Sequence, residues 1–136
     1  AASDVYKRQM KDNTLLITAD TIVWLDGKVY GKPHDIADAK AMLQALSGKT
    51  HTVITGVTLT SLQKQLSFAV STEVTFAALG DDEIDYYVET YRPLDKAGAY
   101  GVQEWIGYIG VTGLKGSYYN VMGLPIQRLY TELKKF

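Results

Sequence analysis

The chain has 136 residues, 46% of them hydrophobic and 21% charged, with 14 Lys and Arg against 15 Asp and Glu and a formal net charge of -1. That is enough sequence for one domain with a buried core, and the balance of charge excludes the broad positive field that nonspecific binding to nucleic acid or an acidic membrane requires. The absence of cysteine excludes a disulfide framework, a thiolate metal centre and a cysteine nucleophile, and leaves two histidines for any imidazole site.

The first residues, Ala1-Ala2-Ser3-Asp4-Val5-Tyr6-Lys7-Arg8-Gln9, carry no signal-peptide pattern, and the first Met is Met10. This predicts that the beginning of the natural chain is missing. No apolar run approaches the roughly 20 residues of a membrane span, so the expectation is a soluble, cytoplasmic protein. Leu15 to Ala19 is short and apolar without clean alternation, the pattern of a strand buried on both faces, ending at Asp20. Ile22 to Leu25, Asp26-Gly27 and Lys28 to Tyr30 predict a hairpin, because Asp-Gly tolerates the positive φ angles of a two-residue turn. Gly31-Lys32-Pro33 follows as a loop. Ile36, Ala39, Met42, Leu43 and Leu46 fall at helical spacing, with Asp35 placed to cap the start and Gly48 to end the helix. His51 to Thr60 predicts a strand with Val53, Thr55, Val57 and Leu59 on one face. Its expected partner is Leu66 to Phe76, the cleanest alternating segment in the chain. A second helix is expected from Asp81 to Thr90 along Ile84, Tyr87, Val88 and Tyr91, then a Gly-rich stretch from Asp95 to Gly116. A last helix is expected near Pro125, packing Ile126, Leu129, Tyr130 and Leu133 and ending on Lys134 and Lys135. The expected class is α/β, one layered domain.

Asp20, at the expected end of a buried strand and followed by Thr21, lies where open α/β sheets place ligand crevices. Its carboxylate suits a metal ligand, a general base or a turn closure. Lys32 supplies a cation suited to phosphate, or a solvated surface charge. Asp95 to Gln103 combines a carboxylate, the Lys96 ammonium, small residues that admit close backbone approach, and a Gln amide able to face a base edge. An ordinary turn with an incidental ion pair would have the same composition. Ser47-Gly48-Lys49-Thr50 imitates the end of a phosphate-binding loop, but the first glycine of that motif would fall at Leu43 and the string closes a helix instead of opening one. His34 and His51 are not at metal-ligand spacing, and the ten tyrosines fall mostly on apolar stripes.

Taken together, Ala19-Asp20-Thr21, Asp26-Gly27, Gly31-Lys32-Pro33, Leu46 to His51, Thr55-Gly56-Val57, Asp95 to Gln103, Gly116-Ser117-Tyr118 and Asn120 to Pro125 resemble the Maf family of nucleoside triphosphate pyrophosphatases, from about Leu15 to Phe136. The resemblance implies a mixed, twisted β-sheet with packed helices, as in the inosine triphosphate pyrophosphatases. It implies a cytoplasmic enzyme that cleaves a nucleoside triphosphate between the α and β phosphates with a divalent cation, Mg2+ or Mn2+, and that clears modified pyrimidine nucleotides. Under it Asp20 is similar to the family's proton acceptor, Lys32 to its triphosphate-binding lysine, and Thr21 and Gln103 to its specificity positions. Asp95 and Lys96 support the site, and Asp20 and Asp95 are the candidate metal ligands. The form of both strings is similar to the branch acting on dTTP and UTP. The implied partners are a nucleotide substrate and a second copy of the chain, with no nucleic acid or membrane.

Family members begin earlier, with a Ser-x-Arg-Arg loop that grips phosphate, and none of that loop can be placed here. The expectation is therefore an unmatched flank over residues 1–12 and a single, N-terminally truncated domain over residues 13–136, which without the lost arginines hydrolyses dTTP and UTP poorly or not at all. A catalytically impaired nucleotide-binding or dimerisation module, and a pyrophosphatase preferring inosine or xanthosine triphosphate, are the competing readings.

Overall fold

The computed structural model describes residues 14–136, so the expected flank over residues 1–12 lies outside the described residues. The α/β layering is as expected. Five strands form one sheet in the order β2-β1-β3-β4-β5: β1 (Leu16–Leu25), β2 (Lys28–Tyr30), β3 (Thr50–Thr60), β4 (Gln65–Phe76) and β5 (Val111–Lys115). All four described pairings are antiparallel. The hairpin forms at Asp26-Gly27, where φ angles of 51° and 80° turn the chain so that Leu25 faces Lys28.

β1 departs from the expectation of a short strand buried on both faces. It runs ten residues, Asp20 sits in its middle opposite Gly56, and Ile17, Ala19 and Asp20 are exposed. The cause is its antiparallel pairing with β3, which leaves one face in water; a parallel strand would be covered by helices on both sides. Among the described residues, Leu16 to Ile22 are paired on one side only.

The register aligns one apolar face: Val23 beside Val53, His51 beside Val74, Val57 beside Phe68. The part of that face around Val23, Val53 and Val74 is covered by α1 (Ile36–Leu46), α2 (Asp81–Tyr91) and the segment after it. α1 starts where the Asp35 carboxylate accepts the Asp38 amide at 2.7 Å, and its chain turns out through Gly48 at φ 69°. It buries Ala39, Leu43 and Leu46, while α2 buries Ile84, Tyr87 and Val88. Lys40 joins the two helices through ion pairs to Asp85 at 3.2 Å and Glu89 at 3.5 Å.

The Gly-rich stretch is more ordered than its composition suggests. It contains a 3-10 turn (Ala97–Ala99), α3 (Trp105–Gly110) and β5, and is followed by α4 (Tyr118–Val121). The last helix, α5 (Ile126–Lys135), buries Leu129 against Val57 and Leu59 in a smaller cluster, but leaves Ile126 and Tyr130 48% and 62% exposed. Leu133, as expected, and Phe136 join this contact half-buried, and Arg128 over the Phe68 ring at 5.1 Å supplements it. Most described tyrosines likewise face solvent, with Tyr30, Tyr87 and Tyr100 the buried ones. No described helix is long and apolar enough to cross a membrane.

Candidate active site

Asp20, Thr21, Lys32, Asp95, Lys96 and Gln103, which come from three separate stretches of sequence, border one cavity of about 330 Å3. Its apolar wall is Val23, Val53 and Tyr100, and Val121-Met122-Gly123 close another side. Asp20 therefore reaches the cavity from mid-strand, and the crevice lies along β1 instead of beyond a strand end. Adjacent positions on a strand point to opposite faces. Thr21 stands on the packed face with Thr55, and Asp20 stands opposite Gly56, whose missing side chain leaves open space.

Loop contacts bring the second and third stretches together. The Gly98 amide donates to the Gly31 carbonyl at 3.1 Å, tying the Asp95 to Gln103 loop to the turn that carries Lys32. Gly98 holds φ at 70°, and a Cβ there would stand 2.8 Å from the Val23 side chain, so only glycine lets the loop settle on the sheet. Ala99 follows at φ 63°, a left-handed conformation that costs energy in a residue with a Cβ. Lys96 lies 3.3 Å from the Asp95 carboxylate. This hydrogen-bonded ammonium, helped by Lys32, holds the Asp95 carboxyl below the usual carboxylate range.

Two supports of the site were not legible from sequence as such. The buried Tyr87 hydroxyl donates to Glu104 at 2.6 Å and accepts the Gly101 amide at 3.0 Å, pinning the loop to α2. Burial and the Glu104 carboxylate push the Tyr87 phenol well above its ordinary value, so it stays protonated as this clasp requires. Beneath the cavity, Asn120 is fully buried and ties α4 to β3 and β4 through its side-chain amide. A tyrosine on an apolar helical stripe and an asparagine between a tyrosine and a valine carry no signal of such distant partners.

His51 lies behind Tyr100, its Nε2 2.7 Å from the Tyr100 hydroxyl and its ring edge-on to Phe76. Burial alone pulls its pKa from 6.5 to about 4. Between those values the unfolded chain takes up a proton that the folded one refuses, so stability falls as the pH drops through this window and is independent of His51 above it. The expected loss is about 2 kcal/mol between pH 7 and pH 5. Urea midpoints of the wild type and His51→Gln at the two pH values check this: the part of the loss due to the imidazole disappears in the variant.

The donors for a metal are few. Asp20 and Asp95 border the cavity, and among the described residues no group of three or more carboxylate or imidazole side chains converges. This supply suits a hard cation that takes most of its oxygens from a bound phosphate chain and from water, as Mg2+ does with one or two carboxylates.

The family model of Maf-like proteins matches residues 1–136. The match includes residues 1–12, which lack the fixed strings on which the motif reading rests. A Phocaeicola vulgatus protein named dTTP/UTP pyrophosphatase is 67% identical over 130 residues, covering 96% of this chain and 67% of its own length. Proteins with the same name from Bacteroides thetaiotaomicron and Parabacteroides distasonis are 61% and 58% identical, covering 98% of this chain and 69% of their own lengths. The chain thus spans about two thirds of the length of these relatives, and on the match over residues 1–136 it belongs to the family of Maf-like proteins.

Proposed function

We infer that this chain hydrolyses dTTP and UTP between the α and β phosphates, giving the monophosphate and pyrophosphate. The observation that carries the reading is the convergence of two carboxylates, two ammonium groups and a side-chain amide on one cavity, in a chain whose relatives are named for this activity. Displacement at phosphorus needs little covalent chemistry from a protein; it needs a positioned nucleophile and neutralised phosphate oxygens. In this reading Asp20 takes the proton of the attacking water. Lys32 and Lys96 bind the phosphate chain, and Asp95 keeps Lys96 aimed. Gln103 and Thr21 meet the pyrimidine. A divalent cation held by Asp20, Asp95 and phosphate oxygens would neutralise further charge on the triphosphate.

The test is a panel of nucleotides with the purified protein and Mg2+ or Mn2+, followed by product analysis. The expected products are pyrophosphate and monophosphate from dTTP and UTP, with slower turnover of CTP and ITP. Release of single orthophosphate, or a preference for ITP, overturns the reading. A second reading, a nucleotide-binding module with impaired chemistry, is favoured by the charge supply: Lys32 and Lys96 are the cations among the described residues lining the cavity, facing a polyanion. Binding of a nonhydrolysable UTP analogue without pyrophosphate release selects it.

A further inference from the structure

The hydroxyl of Thr21 belongs to a hydrogen-bonded chain that ends on a carbonyl oxygen. Thr55, fully buried on β3, donates its hydroxyl hydrogen to the main-chain carbonyl of Asn120 at 3.1 Å. A carbonyl only accepts, and a hydroxyl has one hydrogen, so that hydrogen is committed. The Thr21 and Thr55 hydroxyl oxygens are 2.9 Å apart. The hydrogen between them must then come from Thr21. Having given its only hydrogen away from the cavity, Thr21 can offer a ligand nothing but a lone pair. Asn120 is itself held in one orientation, because the two hydrogens of its side-chain amide are shared among three acceptors, the carbonyls of Val70 at 2.9 Å and Val53 at 3.3 Å and the Thr72 hydroxyl at 3.0 Å. Turning that amide over would aim an oxygen at two carbonyl oxygens.

We propose that Thr55 is a positioning residue for base selection: by committing the Thr21 hydrogen, it makes Thr21 an obligate acceptor for the N3-H of uracil or thymine and a poor neighbour for cytosine. The proposal rests on the pyrimidine nucleotide reading above. Uracil and thymine carry a hydrogen on N3, whereas cytosine presents a bare lone pair there. Two lone pairs that face each other without water leave both unsatisfied, the arrangement by which polar sites reject near-isosteric ligands. Gln103 cannot impose this choice alone. It is exposed, and its amide can turn to present either its oxygen or its nitrogen. The fixed polarity lies at Thr21.

Titration calorimetry with nonhydrolysable UTP and CTP analogues, using the full chain as wild type, Thr55→Val and Thr55→Ser, tests the proposal without requiring turnover. Valine keeps the shape of Thr55 and frees the Thr21 hydroxyl to rotate. The expected result is a UTP to CTP affinity ratio that falls about tenfold in Thr55→Val, and that Thr55→Ser restores. A ratio unchanged in Thr55→Val, or equal weakening toward both analogues, overturns the proposal and leaves the functional reading standing. Wild type that binds neither analogue overturns both. If Thr55→Val does not fold by circular dichroism, the wild type decides with an N3-methylated uridine nucleotide: binding weakened at least about tenfold supports the obligate acceptor, and undiminished binding overturns it.

Discussion

Asp20→Asn is expected to lower kcat for UTP hydrolysis by about 100- to 10,000-fold while leaving the melting temperature unchanged. Asparagine keeps the size and outline of the side chain and removes its charge and its ability to take a proton. The structural cost is small for a local reason: Asp20 is exposed in mid-strand, opposite a glycine, and no described partner depends on its carboxylate. Exposed substitutions of this kind stay within about 0.5 kcal/mol in stability. A thousandfold loss in rate corresponds to about 4 kcal/mol of transition-state stabilisation, so the two effects separate cleanly. Steady-state kinetics beside thermal melts check the prediction. An unchanged kcat removes Asp20 from the chemistry, and a collapsed melting temperature reassigns it to structure. Raising Mg2+ distinguishes two uses of the carboxylate: a lost metal ligand is partly compensated by excess cation, a lost proton acceptor is not.

The elements that could be read from sequence are those whose signals are local. Asp26-Gly27 specifies its turn through two positive φ angles, Asp35 caps α1 through an amide three residues away, and β3 and β4 alternate over ten or more residues each. β5 and α3 were missed because they are five and six residues long, shorter than a helical or alternating pattern needs to declare itself. The strand-end position expected of Asp20 does not exist in the antiparallel sheet, yet Asp20 borders the cavity from mid-strand. The residue type carried that inference, and the topology did not. Thr55, Tyr87 and Asn120 escaped for the opposite reason. Their partners lie 34 to 65, 14 to 17 and 48 to 67 residues away in sequence, and each bond depends on the register and packing of elements that no local pattern records.

Asn120→Ala is expected to destabilise the protein by about 3 kcal/mol, lowering the melting temperature by about 10 °C, and to weaken nucleotide binding as well. The alanine removes donors to Val53, Val70 and Thr72 at the centre of the sheet and leaves a cavity where water cannot readily replace them. It also frees α4 from β3 and β4, and α4 leads directly into Met122 and Gly123 of the cavity wall. Asn120→Asp gives a sharper version of the same experiment. The introduced carboxylate would lie against two carbonyl oxygens in a buried site, so its folded-state pKa would stand above that of the unfolded chain. Stability of that variant, relative to wild type, should therefore rise as the pH falls through the unfolded carboxylate pKa of about 4 and the higher folded value, opposite in sign to the His51 contribution. Urea midpoints from pH 7 to pH 4 measure both. A double-mutant cycle with Thr72→Val locates the interaction: a coupling of about 1 kcal/mol is expected if the amide and hydroxyl act as one network. Strict additivity would assign the Asn120 effect to the strand carbonyls alone, with Thr72 a bystander that bonds Ser117.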